Sequence, residues 1–290
     1  MHVWYLIGRK FIDYPNRLVN LQFVFKREGT VMETYFLLMG AMTVLAVIVF
    51  IALFFFKAGY GYLGNGKWGP KISNRTGWII MECPAFLFML LYTVRYAVSG
   101  SDTGNSSLVL YIMAGLFLVH YFQRSFIFPM LIRGKGTMPV AIIAMGFIFN
   151  SMNSYFIGEW LFRYAPAGKY AIDWLASPQF IIGTLLFLAG MLINLDSDYV
   201  IRHLRKPGDT RHYIPRKGLY KYVTSANYFG ELTEWVGYAI LTWSPAGILF
   251  AVWTFANLAP RAKALTARYE EEFGDEYREL HKKHLIPFIW

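Results

Sequence analysis

The 290-residue chain has a single cysteine, Cys83, which excludes a scaffold stapled by its own disulfides. Charge is scarce: Asp, Glu, Lys and Arg make up 16% of residues, against roughly 25% in a soluble globular protein. No glycine fingerprint of a Rossmann or P-loop unit follows a strand-like run, so a bound nucleotide would need a different fold. His281-Lys282-Lys283-His284 has no further ligands beside it and reads as an interfacial tail; no metal is expected. No internal repeat suggests a transporter of paired halves. Residues 1–33 lack the apolar stretch of a secretory signal and carry Arg9, Lys10, Arg17, Lys26 and Arg27 among aromatics, which reads as a separate interfacial segment preceding a membrane domain of residues 34–290.

What the chain has instead is apolar surface. Hydrophobic residues make up 56% and aromatics 19%, and the excess is concentrated. Residues 35–56 contain no Asp, Glu, Lys, Arg or His, a run longer than the ~20 residues that cross hydrocarbon. Further apolar stretches at 78–94, 108–128, 140–162, 180–195, 228–241 and 246–259 predict an all-α integral membrane protein of seven transmembrane helices. The last two are joined by a tight turn at Trp243-Ser244-Pro245.

The formal charge is +10, which a membrane protein explains without nucleic acid, because basic loops hold spans in orientation. With seven spans, one side receives 19 Lys and Arg and the other 8. The C-terminus is therefore expected in the cytoplasm, with the N-terminal basic cluster dissenting. The basic loop that includes Arg202, Arg205, Lys206, Arg211, Arg216 and Lys217 would also lie against anionic lipid.

Polar groups inside such spans are costly and usually face a cavity or a partner. Glu82 lies early in the second span, two residues before Pro84. The proline ring cannot donate to the carbonyl four residues back, so a kink is expected beside the carboxyl. It is either an acid satisfied by a neighbouring helix or a catalytic or ligand-binding acid. The third span ends His120-Tyr121-Phe122-Gln123-Arg124, with His120 and Arg124 one turn apart on one face. Asn194 and Asp198 repeat that spacing, as do Asn227 and Glu231, with Trp235 continuing the second face. Two such faces beside a strongly basic loop predict a site for something large, polar and anionic.

The residues resemble those of the steroid 5α-reductase (3-oxo-5α-steroid 4-dehydrogenase) family. The resemblance is carried by Asn194-Leu195-Asp196-Ser197-Asp198-Tyr199, Leu204-Arg205-Lys206-Pro207-Gly208, Gly218-Leu219, Asn227, Gly230-Glu231, Glu234-Trp235 and Leu285-Ile286-Pro287-Phe288. Upstream it extends through Gly59-Tyr60-Gly61, Glu82 before Pro84, and Val119-His120-Tyr121-Phe122 with Arg124 and Phe126. It covers most of residues 57–290 and is strongest toward the vertebrate type 1 and type 2 enzymes; the different N-terminus suggests a bacterial member.

The resemblance implies a seven-helix enzyme that reduces the Δ4 double bond of 3-oxosteroids with NADPH. It implies that Glu82 and Tyr121 hold the steroid 3-carbonyl. Asn194, Asp198, Arg205, Asn227, Glu231, Trp235, Arg261 and Tyr269 would surround the cofactor, with Tyr60 and Arg124. The implied partners are a steroid arriving from the bilayer and membrane lipid, the implied state a monomer. The host membrane would be the inner membrane of a bacterium or the endoplasmic reticulum of a eukaryote. Three positions depart from the family pattern: Met81 where glutamine is usual, His212-Tyr213 in place of Tyr-Arg, and Leu265 in place of histidine. A related sterol C14-reductase, an isoprenylcysteine-type methyltransferase and a non-catalytic sterol-binding protein remain as alternatives.

Overall fold

The computed structural model describes residues 2–56, 68–100, 102–206, 209 and 211–290, with side chains from Gly29 onward. Tyr60 lies outside the described residues. The long helices are α1 (His2–Phe55), α2 (Asn74–Ser99), α3 (Ser107–Phe122), α5 (Val140–Glu159), α6 (Pro178–Arg202), α7 (Ala226–Thr242) and α8 (Pro245–Phe273). Short helices α4 (Phe128–Leu131) and α9 (Asp275–Arg278) accompany them. Residues 1–42 and 43–290 form two compact units. In the first, helix runs through residue 33 without a break.

Among the described residues, five helices are long and apolar enough to cross a membrane: Gly29–Phe55, Asn74–Ser99, Ser107–Leu131, Val140–Tyr164 and Pro178–Arg202. These are the first five of the seven runs expected from sequence. The sixth and seventh apolar runs are helices, but α7 has only 17 residues and carries Glu231 and Glu234, and α8 ends in Arg268-Tyr269-Glu270-Glu271-Glu272. α7 is thus short and acidic, and α8 is long enough at 29 residues but polar toward its C-terminal end. α7 packs against α6 and α8.

The loops sort into two ends. At one end, β1 (Lys71–Ser73) pairs antiparallel with β2 (Thr137–Pro139), Ile72 opposite Met138. Arg133 there donates to the carbonyl of Arg202 at 3.1 Å, and Lys283 donates its N–H to Tyr222 O at 2.9 Å. At the other end, Ser106 N–H donates to Tyr170 O at 2.9 Å and Lys169 Nζ to Trp243 O at 2.7 Å. These groupings match the alternation read from the basic residues. The expected turn is present: Trp243 takes a left-handed conformation at φ 44°, Ser244 Oγ caps α8 by accepting from Gly247 N, and Pro245 begins the helix.

The contact that positions the site is between α6 and α7. Gly183 and Gly190 on α6 face Gly237 and Gly230 on α7, each pair of glycines seven residues apart. A Cβ at Gly230 would sit 2.5 Å from Asn194 N, and one at Gly190 would overlap the backbone of Glu234. Small residues in register are how helix backbones touch inside a membrane, where packing replaces the hydrophobic drive.

Candidate active site

Close approach of α6 and α7 brings together the two polar faces that begin at Asn194 and Asn227. The Asn194 amide crosses the interface and donates to Asn227 O at 3.0 Å. One turn further along each helix stand Asp198 and Glu231, and Arg124 lies between them, 3.3 Å from Asp198 Oδ2 and 3.8 Å from Glu231 Oε2. The guanidinium also lies over the rings of Trp78 and Phe128, at 4.6 and 4.5 Å from their centroids. A largely buried cation is tolerable only when paired and stacked in this way.

Arg124 gets there by a departure from α-helix. After Phe122 the backbone passes into a π-helix, Gln123–Ile127, before α4 resumes. The wider turn separates two side chains that ideal spacing would put on one face. Arg124 meets Asp198 and Glu231, while His120 Nδ1 lies 2.7 Å from Glu234 Oε1. Single π-turns of this kind are frequent at functional sites.

On the other side of the bundle, α2 continues through Pro84 as one helix. The carbonyls around the proline find other donors: Cys83 Sγ for Ile80 O at 3.8 Å, Asn150 Nδ2 for Met81 O at 2.8 Å, and Ser154 Oγ for Ala85 O at 3.2 Å. Asn150 also donates to Glu82 Oε2 at 3.0 Å and accepts from the Tyr121 hydroxyl at 3.1 Å. Glu82 and Tyr121 are thus joined through one buried amide. Asn150 was not singled out as a site residue from sequence. Its signal was there, since Asn150, Asn153 and Ser154 put polar groups on one face of an otherwise apolar run.

Trp235 is 1% exposed and belongs to the aromatic core beneath Tyr121. Its ring centroid lies 4.5 Å from His120, 5.7 Å from Tyr121 and 4.2 Å from Phe250. It continues the α7 face as expected, but meets side chains on every side.

The remaining residues expected around a cofactor lie toward the 203–225 loop. Arg261 is buried, and its Nε and Nη2 point at the Tyr228 hydroxyl at 3.4 and 3.3 Å. Tyr269 stacks on Phe273 and Tyr277. Burial pushes its phenol well up, with Tyr277 and Glu272 adding to the effect and the nearby charge of Arg205 opposing it. Arg205 itself is exposed. The C-terminal segment closes against this loop through Arg216–Glu276 at 2.6 Å and His212–Glu272 at 2.7 Å, so His212, which departs from the family pattern, is held by an acid of α8.

Two polar regions therefore sit within one bundle. One is a small set in which Tyr121 and Asn150 are buried and Glu82 half-buried, with aromatic rings packed against Tyr121. The other is larger and of mixed sign, with amides and carboxylates at Asn194, Asp198, Asn227 and Glu231, and guanidinium groups at Arg124, Arg261 and Arg205. Carboxylates and amides suit the carboxamide and ribose hydroxyls of a dinucleotide, and guanidinium groups suit its phosphates. The donor set fits a nicotinamide dinucleotide without a Rossmann fold.

Comparison with known proteins identifies the family. The profile of the family described as 3-oxo-5-alpha-steroid 4-dehydrogenase matches residues 136–290. The chain is similar to bovine 3-oxo-5-alpha-steroid 4-dehydrogenase 1, with 40% identity over 248 residues, covering 84% of this chain and 93% of the bovine protein. The human protein of the same description is 42% identical over 220 residues, 76% of this chain and 82% of its own. Steroid 5-alpha-reductase DET2 of Arabidopsis thaliana is 36% identical over 248 residues, 83% and 90% of the two chains.

Proposed function

This chain belongs to the 3-oxo-5-alpha-steroid 4-dehydrogenase family, and from that premise we propose that it reduces the Δ4 double bond of 3-oxosteroids with NADPH, within a membrane. The observation that supports this most directly is the convergence of Glu82 and Tyr121 on one buried amide. Both are groups able to donate a hydrogen bond to a steroid carbonyl, which is what the reading asks of them.

A Δ4-3-oxosteroid is a conjugated enone, electrophilic at C5. The reduced nicotinamide supplies the hydride when it is bound. The task left to the side chains is to stabilise the negative charge that develops on the 3-oxygen. Tyr121 donates its hydroxyl to that oxygen, and Glu82 in its neutral form donates a second hydrogen bond. Such donors are worth most in a site closed to water, and the Phe117 and Trp235 rings packed against Tyr121, with Tyr238 behind Phe117, help to close this one. Protonation at C4 completes the reduction.

Asn194, Asp198, Asn227, Glu231, Arg124, Arg261, Tyr269 and Arg205 would hold the cofactor. The exposed Arg205 favours the extra phosphate of NADPH over NADH. The substrate is apolar enough to reach the site sideways from the bilayer. The test is direct: the purified protein is mixed with NADPH and with testosterone, progesterone or a non-steroidal enone, and loss of reduced nicotinamide is followed together with the product. Turnover with the steroids to 5α products supports the reading. Binding of steroid without NADPH consumption would leave a sterol-binding protein instead.

A further inference from the structure

The amide of Asn150 touches both residues of the proposed catalytic pair, and its orientation is decided by a third neighbour. The carbonyl of Met81 has no hydrogen to give, so the group 2.8 Å from it must be the NH2 of Asn150. The second N–H then reaches Glu82 Oε2 at 3.0 Å. That leaves Oδ1 facing the Tyr121 hydroxyl at 3.1 Å, and an amide oxygen can only accept, so the phenol donates.

Two consequences follow for where protons sit. Glu82 Oε2 is occupied as an acceptor, so a neutral Glu82 carries its proton on Oε1. The Tyr121 proton, meanwhile, is committed to Asn150 until a competing acceptor arrives. We propose that Asn150 is a positioning residue for the reduction: it selects the donating oxygen of Glu82 and holds the Tyr121 hydroxyl until the steroid 3-oxygen takes its place. No covalent bond changes in this exchange; the phenol O–H turns from the amide oxygen to the 3-oxygen as enolate charge develops there and makes it the stronger acceptor. The inference rests on the catalytic pair proposed above and adds its order of hydrogen bonding.

The inference separates rate from binding. In Asn150→Leu, Glu82 and Tyr121 lose their orientation, but the competitor for the Tyr121 proton is also gone. Hydride transfer in a single turnover should fall on the order of 10²-fold, as misplaced catalytic groups do. Steroid affinity should stay close to wild type. A merely structural defect would weaken both. Because Asn150 acts partly through Tyr121, adding Asn150→Leu to Tyr121→Phe should cost clearly less than in the wild-type background. Losses that multiply in full would overturn the proposal while leaving the pair standing. Tyr121→Phe transferring hydride at the wild-type rate would instead remove the pair, and with it the premise.

Asn150→Asp keeps the size of the side chain and guards against a leucine variant that does not fold. Its carboxylate accepts from Tyr121 but cannot donate to Glu82 or Met81 O. Its rate, divided by the wild-type rate at each pH, should recover as pH falls and the new carboxyl regains a donor. The wild-type profile is the reference for the charged groups that face this site, Glu82 on α2, His120 and Arg124 on the α3 side, and Glu231 and Glu234 on α7, and because the new carboxyl contacts Glu82 the recovery reports the two acids together. A ratio flat with pH would count against the role of the amide as donor.

Discussion

His120 Nδ1 lies 2.7 Å from Glu234 Oε1, and the two side chains are 6% and 0% exposed. The pair joins α3 to α7 immediately beside the Tyr121 and Trp235 rings, so it couples the helix that carries the proposed catalytic tyrosine to the helix that carries half of the proposed cofactor site. Removing one partner of a buried pair leaves the other uncompensated, typically at a cost of about 3–5 kcal/mol. Glu234→Leu should therefore be severely destabilised. Glu234→Gln, which keeps a neutral hydrogen-bonding group, should be less so. Thermal unfolding in detergent of the two variants beside the wild type checks this, and equal stability of Glu234→Leu and wild type would show the pair to be dispensable.

The α6–α7 glycines make a contrasting prediction. Gly190→Ala and Gly230→Ala should force the helices apart, lowering stability and NADPH affinity together, because a Cβ at either position meets backbone. Gly115 on α3 has open space around its Cβ position. Gly115→Ala should be neutral or stabilising by up to about 1 kcal/mol, the helix preference of Ala over Gly. Thermal shifts with and without NADPH distinguish these cases.

Tyr121→Phe removes one hydroxyl and leaves the ring packing intact. Loss of one donor to a developing oxyanion costs about 10²–10³ in kcat, and steroid binding should suffer less, since a ketone is a weaker acceptor than an enolate. Single-turnover hydride transfer to a Δ4-3-oxosteroid is the measurement. A wild-type rate would pass the role to Glu82 alone or to water.

Arg205→Ala should weaken NADPH much more than NADH. Equal loss for both, measured by titration of each cofactor, would take Arg205 out of the phosphate site.

One pH effect belongs to the contact between the C-terminus and the 203–225 loop. Burial, helped by the charge of Arg216, pushes Lys282 down to about 8, and its ammonium donates to Pro215 O. The folded value lies below that of the unfolded chain, so between about pH 8 and 10.5 the unfolded form binds more protons. Stability of the contact should therefore rise with pH across that window. Proteolytic cleavage of residues 211–217 should slow correspondingly, and Lys282→Met should abolish the pH dependence.

Membrane residence, helix order, the tight turn at Trp243 and the sidedness of the loops were legible in the chain itself. They follow from run length, charge placement and turn chemistry, which are local quantities. The pairs Asn194/Asp198 and Asn227/Glu231 were legible for the same reason, since helical spacing puts each pair on one face. That the two faces meet depends on glycines in register on two different helices, and on Arg124 reaching between them from a π-turn that no local pattern announced. The polar face of Asn150 was legible, but what it and His120 bond to was not: the Tyr121 and Glu234 partners are 29 and 114 residues away, and only tertiary packing, which excludes water from a polar group and obliges it to find a partner, decides which one it finds.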